Sequence, residues 1–384
     1  MGISTSGKNG GYSMTTKPRH HKWKRYHESG VSLIAALVVL CLLLAVSACD
    51  STPKKDTKGS YGFISPTFSP DNKKLILAFC DESRGYDACD VVTYDLSNGD
   101  VHRWKPTKSR LHGAPIYSPD GTKIAFVDGE GDVANVFVMS SGGDDVRQLT
   151  FEKKGATGKT AVKLDAMPTF SPDGERIIFK RSENKRERTF GRGEMFSHWD
   201  AYEVDLKTGT ERKLTDYKFY MMSRPYYLPD GKHFIFSGDG PKVEDLSFSD
   251  RYEKTYQENR IFIMDGKEND LKPAFQNGWY SNKPAVSRDS TVLFTSITNK
   301  IDGIGGPYNY DLFIKKGSQI TRLTNMKAMI AESAISYDGT RVVFIADIDP
   351  ERKGGPTLWV MNGNGSDLKQ IKLPRDRLWQ LGAG

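Results

Sequence analysis

Alternation of apolar and polar residues along this chain comes in short runs, and the runs repeat. Six stretches share one figure: an alternating run, a break at Ser-Pro-Asp-Gly, then a second alternating run that closes on Phe. They are residues 66–79 (PTFSPDNKKLILAF), 115–126 (PIYSPDGTKIAF), 168–179 (PTFSPDGERIIF), 225–236 (PYYLPDGKHFIF), 284–294 (PAVSRDSTVLF) and 333–344 (SAISYDGTRVVF). Alternation with period two is the pattern of a half-buried strand. In the break, Pro pre-sets φ at the second position of a type I turn, Ser and Asp bond nearby backbone groups, and Gly tolerates the exit conformation. Each figure therefore predicts a β-hairpin. The last two are degraded, with Arg288 and Tyr337 in place of the turn proline and Ser333 in place of the leading one.

A second figure follows each hairpin: DVVTYDLSNGDVHRW from Asp90, NVFVMSSGGDDVRQLT from Asn135, AYEVDLKTGTERKLT from Ala201, RIFIMDGKENDLKPAF from Arg260, DLFIKKGSQITRLT from Asp311 and TLWVMNGNGSDLKQIKL from Thr357. These again read as strand, turn, strand. Four strands per unit, copies starting 49 to 59 residues apart, and almost no helical periodicity predict an all-β fold: a six-bladed β-propeller of four-stranded antiparallel blades. An isolated four-stranded sheet exposes both faces, and radial packing of such sheets buries them.

One segment breaks the pattern. Residues 31–48 (VSLIAALVVLCLLLAVSA) carry no charge and follow Lys17, Arg19, Lys22, Lys24 and Arg25, the layout of a secretory signal. The ending Val46-Ser47-Ala48-Cys49 resembles a bacterial lipoprotein signal, which implies cleavage before Cys49 and acylation, palmitate included, at that residue. A spanning helix is the rival reading at this length. A start at Met14 instead of Met1 would leave a shorter basic region. The expected domains are a signal peptide over 1–48, a lipidated Cys49 with a polar tether over 49–60, and a propeller over 61–384. The first 48 residues hold six Lys or Arg and one acid, so of the formal charge of +7 only +2 belongs to the remainder. That removes the electrostatic case for nucleic acid.

Cleavage also sorts the four cysteines. Cys41 leaves with the signal and Cys49 carries lipid, while Cys80 and Cys89 remain in FCDESRGYDACD. In an oxidising compartment a nearby pair predicts a disulfide, with two free buried thiols as the alternative.

The recurring PxFSPDGxxIxF…LYVMDxxG…xxLT pattern resembles the repeats of TolB-like β-propeller proteins, and also the propeller domains of prolyl-oligopeptidase-type peptidases. The resemblance covers roughly residues 61–373. It implies a six-bladed envelope protein that binds other envelope proteins, with no cofactor. TolB itself carries an additional N-terminal domain, for which residues 49–61 leave no room, and it lacks a lipid anchor, so the Tol role is not carried over.

Function is expected on the face that collects the long connections: residues 151–166, 181–199, 237–259 and 296–310. Two of them interleave charge with aromatics. The anchors expected to meet a partner protein are Arg186, Arg188, Arg192, Phe196 and Trp199 in the first, and Phe248, Tyr252 and Tyr256 in the second. Packing of these two loops on each other is the bland reading. Catalytic signatures are missing: there is no Gly-x-Ser-x-Gly and no His-Glu-x-x-His, and no metal site is expected. Asp128-Gly-Glu130-Gly-Asp132 reads as a hairpin turn. Resemblance to propellers of similar repeat pattern that are polysaccharide lyases implies the enzyme alternative, a carbohydrate-binding or lyase-type polysaccharide-degrading propeller, with His198 and Arg192 as its candidate pair. The expected location is the outer side of the cytoplasmic membrane, anchored by lipid on Cys49.

Overall fold

In the computed structural model the described residues are 61–81, 88–130, 133–151, 163–189, 193–219, 221–238, 260–265, 271–275, 281–297, 310–326, 328–348 and 356–373. Cys49, the tether and the proposed signal lie outside them, as do Arg192, Phe248, Tyr252 and Tyr256.

All regular structure among the described residues is β, in six successive antiparallel four-stranded groups. The first holds β1 (Tyr61–Phe68), β2 (Lys74–Asp81), β3 (Cys89–Asp95) and β4 (Val101–Trp104); the second holds β5 (Leu111–Tyr117), β6 (Lys123–Glu130), β7 (Val133–Ser140) and β8 (Arg147–Gln148). The third holds β9 (Lys163–Phe170), β10 (Arg176–Thr189), β11 (Gly193–Asp205) and β12 (Glu211–Lys213); the fourth holds β13 (Tyr226–Tyr227), β14 (His233–Gly238), β15 (Arg260–Asp265) and β16 (Lys272–Pro273). The fifth holds β17 (Ser281–Val286), β18 (Val292–Ile297), β19 (Tyr310–Lys316) and β20 (Gln319–Arg322); the sixth holds β21 (Met329–Ile335), β22 (Arg341–Asp347), β23 (Thr357–Asn362) and β24 (Lys369–Ile371). Single parallel bridges, Cys89 to Leu111 and Ala134 to Leu164, join the first three groups.

The turn chemistry read from Ser-Pro-Asp-Gly is present. Gly121 N donates to Ser118 O at 2.9 Å, Ser118 Oγ donates to Asp120 Oδ1 at 2.5 Å, and Lys123 N donates back to Ser118 Oγ at 2.9 Å. The Ser118 hydrogen bond, the largest effect, helps hold the Asp120 carboxyl down at about 2. The degraded fifth copy keeps the same bonds through Ser287 and Asp289, because they never needed the proline that Arg288 replaces. Gly121, Gly174 and Gly339 sit at φ near +73°, a region where a Cβ is strained. The second figure has its own device. The Asp200 carboxylate accepts Thr215 Oγ1 at 2.7 Å and Tyr217 N at 2.8 Å, while Thr215 Oγ1 accepts Ala201 N at 2.9 Å. Asp311, Thr324, Met326 and Leu312 repeat it. The Leu-Thr ending is thus a clasp on the outer strand.

Packing between groups follows the alternation. The Phe that closes each copy (Phe79, Phe126, Phe179, Phe236, Phe294, Phe344) is buried. Apolar clusters bridge neighbouring groups: Ile76 and Val91 with Ile124 and Phe126, then Ala125 with Phe170 and Phe179, Ile235 with Phe294, and Leu293 with Ile335. Another joins the first group to the sixth, Phe68, Leu75 and Phe79 against Ala334, Val343 and Leu358. Asn72 Nδ2 donates across the same seam to Asp338 Oδ2 at 2.7 Å. Residues 61–64 of β1 pair with β2.

Cys80 and Cys89 stand opposite each other in the β2–β3 ladder and are bridged, Cα to Cα 4.0 Å. The expected loop over 181–199 is not a loop. It is the end of β10 and the start of β11, paired out to Thr189 and Gly193. The stretch is too charged to signal a strand, and the ladder supplies the regularity that the side chains do not. The other three expected long connections lie largely outside the described residues.

Candidate functional site

Two features stand out from the repeated frame. The first lies where the inner strands meet. In each copy of the first figure one residue precedes the proline (or Ser333): Ser65, Ala114, Met167, Arg224, Lys283 and Glu332. Ladder pairing skips at or beside this position in β1, β5, β9, β17 and β21, and Ser65, Ala114, Met167 and Lys283 have φ between 48° and 56°. A bulge of this kind re-aims a side chain out of strict alternation.

The six positions converge. Ser65 Oγ lies 3.8 Å from Met167 Sδ, joining groups one and three, and Arg224 Nη2 lies 3.8 Å from the same sulfur. Lys283 Nζ donates to Ile330 O at 3.0 Å and also to Ala331 O. Glu332 takes a hydrogen bond from Ser65 and feels Arg224, Lys283 and Lys180. Contacts that skip intervening groups require a common axis, with these side chains upon it.

Lys180 in β10 completes the cluster. It is 2% exposed, donates from Nζ to Met222 O at 2.7 Å, and holds its ammonium 4.3 Å from the centre of the Trp199 ring. Burial pushes its pKa down to about 7, with Glu332 opposing the shift and Arg224 adding to it. Burial likewise raises the Glu332 carboxyl, against the pull of Arg224, Ser65, Lys283 and Lys180. Arg224 is 8% exposed, yet its Nη1 has no hydrogen-bond partner, and neither does Glu332 Oε1.

The second feature is the β10–β11 hairpin. Ser182 pairs with Trp199, and beyond a shift the ladder continues through Lys185 with Ser197, Arg186 with Phe196, and Arg188 with Glu194. At its base Arg181 grips Asp165 through Nε at 2.5 Å and Nη2 at 2.9 Å, and reaches Glu211 through Nη1 at 2.8 Å.

Of the residues expected to anchor a partner, Arg186, Arg188 and Phe196 are on this hairpin, with Arg186 directly opposite Phe196. Trp199 is a correction. It is 7% exposed, under Lys180 and paired through its backbone with Phe219, so it is core. Its ring was needed to cover a buried ammonium. His198, half of the candidate enzyme pair, is also buried, at 7%, and Arg192 lies outside the described residues. Phe219 and Met222, near the hairpin in space, are core as well. Asp128 ends the second group's inner hairpin, where its Oδ2 accepts Thr107 Oγ1 at 2.6 Å; Thr107 Oγ1 in turn lies 3.1 Å from His112 Nε2. Among the described residues no three His, Cys, Asp or Glu side chains are grouped to hold a metal.

No family model matches the chain. An uncharacterised peptidase of Bacillus subtilis (strain 168), YuxL, is 26% identical over 211 residues, 47% of this chain and 30% of that protein. The chain thus aligns with less than a third of the length of that relative. The solved structure of TolB from Acinetobacter baumannii superposes with a TM-score of 0.50 at 19% identity, over 81% of this chain and 63% of that one. The chain has the TolB-like β-propeller fold. An oligogalacturonate lyase solved in complex with manganese is similar at the same TM-score of 0.50, with 15% identity over 80% of this chain and 75% of the lyase. The TolB-like propeller is a scaffold shared by binding proteins and enzymes, so the reading of function rests on the hairpin and the axis.

Proposed function

We propose that this protein is a lipid-anchored, six-bladed propeller on the outer side of the cytoplasmic membrane that binds an envelope protein through the face carrying the β10–β11 hairpin. The hairpin is the observation that carries the reading. It departs from the repeat, running to Thr189 and Gly193, and sets Arg186 and Arg188 in a paired strand rather than in a loop. Arg beside aromatic residues is the composition that anchors protein interfaces. A pre-ordered support lowers the entropy lost on binding. The Cys80–Cys89 bridge suits an oxidising compartment, and acylated Cys49 followed by the polar tether holds the disc near the membrane.

The test is to replace residues 186–196 by Asn-Gly, a two-residue hairpin turn, which leaves Lys185 opposite Ser197 and the ladder below it in register. A partner crosslinked to the native protein in intact cells should be lost from the shortened one, at unchanged thermal midpoint. Equal crosslinking by the shortened protein would remove the hairpin from the account. Mass spectrometry of the protein extracted from membranes should find a chain that begins at an acylated Cys49; a chain that retains residues 31–48 would argue for a spanning segment instead.

A further inference from the structure

The axial charges are not required by the repeat. At the equivalent position groups one to three carry Ser65, Ala114 and Met167, so an uncharged side chain suffices to build an inner strand. Groups four to six instead bring Arg224, Lys283 and Glu332 together, and group three adds Lys180. Two of the cations are provided for: Lys283 by the carbonyls of Ile330 and Ala331, Lys180 by Met222 O and the Trp199 face. Arg224 and Glu332 are provided for only in part, Arg224 by the Tyr226 hydroxyl and Glu332 by Ser65. They attract one another, but no direct hydrogen bond or ion pair joins them, and Arg224 Nη1 and Glu332 Oε1 each end without a partner. A buried guanidinium N–H facing nothing is costly unless something else fills the gap.

What fits is fixed by those two atoms and the local charge. An acceptor, preferably anionic, is needed at Arg224. A donor is needed at Glu332. Arg224 and Lys283, joined by Lys180 when it is protonated, surround one carboxylate, so a ligand that brings a further positive charge would be repelled, whereas an anion with a neutral donor is welcome. We propose that the axis of the disc is a binding site for a small hydroxy-carboxylate, its carboxylate held by Arg224 with Lys180 alongside and its hydroxyl donating to Glu332 Oε1. Glu332 and Lys283 retain partial exposure, which leaves a way in. The site is separate from the hairpin, and its failure would leave the partner-binding reading standing.

Calorimetric titration of the purified protein with glycolate tests it. Acetate lacks the hydroxyl and glycolamide lacks the carboxylate; both should bind at least about tenfold more weakly than glycolate. Arg224→Gln should abolish glycolate binding. Glu332→Met should leave glycolate no better than acetate, a loss of selectivity that a merely structural role would not produce. If Arg224→Gln does not fold, as its thermal midpoint would reveal, Arg224→Lys keeps the charge without the planar fork and should still weaken binding by about tenfold. Glycolate that gives no heat, or that binds no better than acetate to the native protein, overturns the proposal and leaves the gap to water.

Discussion

Lys180→Met isolates the cost of an ammonium at the centre of the disc. In the folded protein burial holds the Lys180 pKa at about 7, against an unfolded value of 10.5. The unfolded chain therefore binds more protons than the folded one between those two values, and stability rises with pH across that window. Below about 7 both states are protonated and the penalty is constant; above 10.5 both are neutral and it is gone. Within the window the slope approaches about 1.4 kcal/mol per pH unit, so the gain from pH 7.5 to 9.5 is about 2 to 3 kcal/mol. The groups facing Lys180 are Glu332, Arg224, the Trp199 ring and Met222 O, of which neither the ring nor the carbonyl titrates there. Urea unfolding of both proteins through that range gives the answer. Native stability should climb relative to Lys180→Met, whose advantage near neutral pH shrinks as pH rises. Parallel curves would refute the reasoning, because they would mean that Lys180 reaches water in the folded state.

Three further outcomes follow from the packing. Replacing both Cys80 and Cys89 by Ser should cost about 3 kcal/mol, the value for a short closed loop, and reduction of the native protein should match it; an unchanged urea midpoint would mean that the bridge constrains nothing. Arg181→Met leaves Asp165, which is fully buried, without its bidentate partner and should cost about 3 to 5 kcal/mol by the same assay, whereas a loss below about 1 kcal/mol would show that water reaches the carboxylate. Asn72→Asp turns the donor at the seam between the first and sixth groups into a second carboxylate against Asp338; a loss of about 1 kcal/mol in low salt that shrinks in high salt is expected, and no change would place that contact outside the forces that close the ring.

The hairpins were legible because their chemistry is local. Ser118, Asp120 and Gly121 make the turn from their own side chains and backbone, and even Arg288 cannot spoil it. The bridge between Cys80 and Cys89 was legible for the same reason, since the two residues end paired strands. Residues 183–189 were not legible as strand. They read SENKRERT from Ser182, with no apolar face to bury, and their ladder depends on β11 supplying partners from the other side of the turn. Trp199 was misplaced because an aromatic in a charged stretch looks like an exposed anchor until Lys180 is seen beneath it. The axial cluster lies just outside the repeated hairpin figure. Its six members occupy the column just before the leading proline, and reading that column as Ser, Ala, Met, Arg, Lys, Glu would have exposed a switch from neutral to charged halfway along the chain. Nothing local announces it, because the residues lie up to 267 positions apart and only closure of the ring brings them together.

Partner binding is expected on the face of the disc that carries the β10–β11 hairpin. A photo-crosslinking residue placed at Arg186, at Arg188, or at Lys73 and Thr122 in the turns of the opposite face decides it in intact cells. Adducts of one and the same partner from Arg186 and Arg188, with none from Lys73 or Thr122, are the predicted result. Adducts from the turns and none from the hairpin would contradict it.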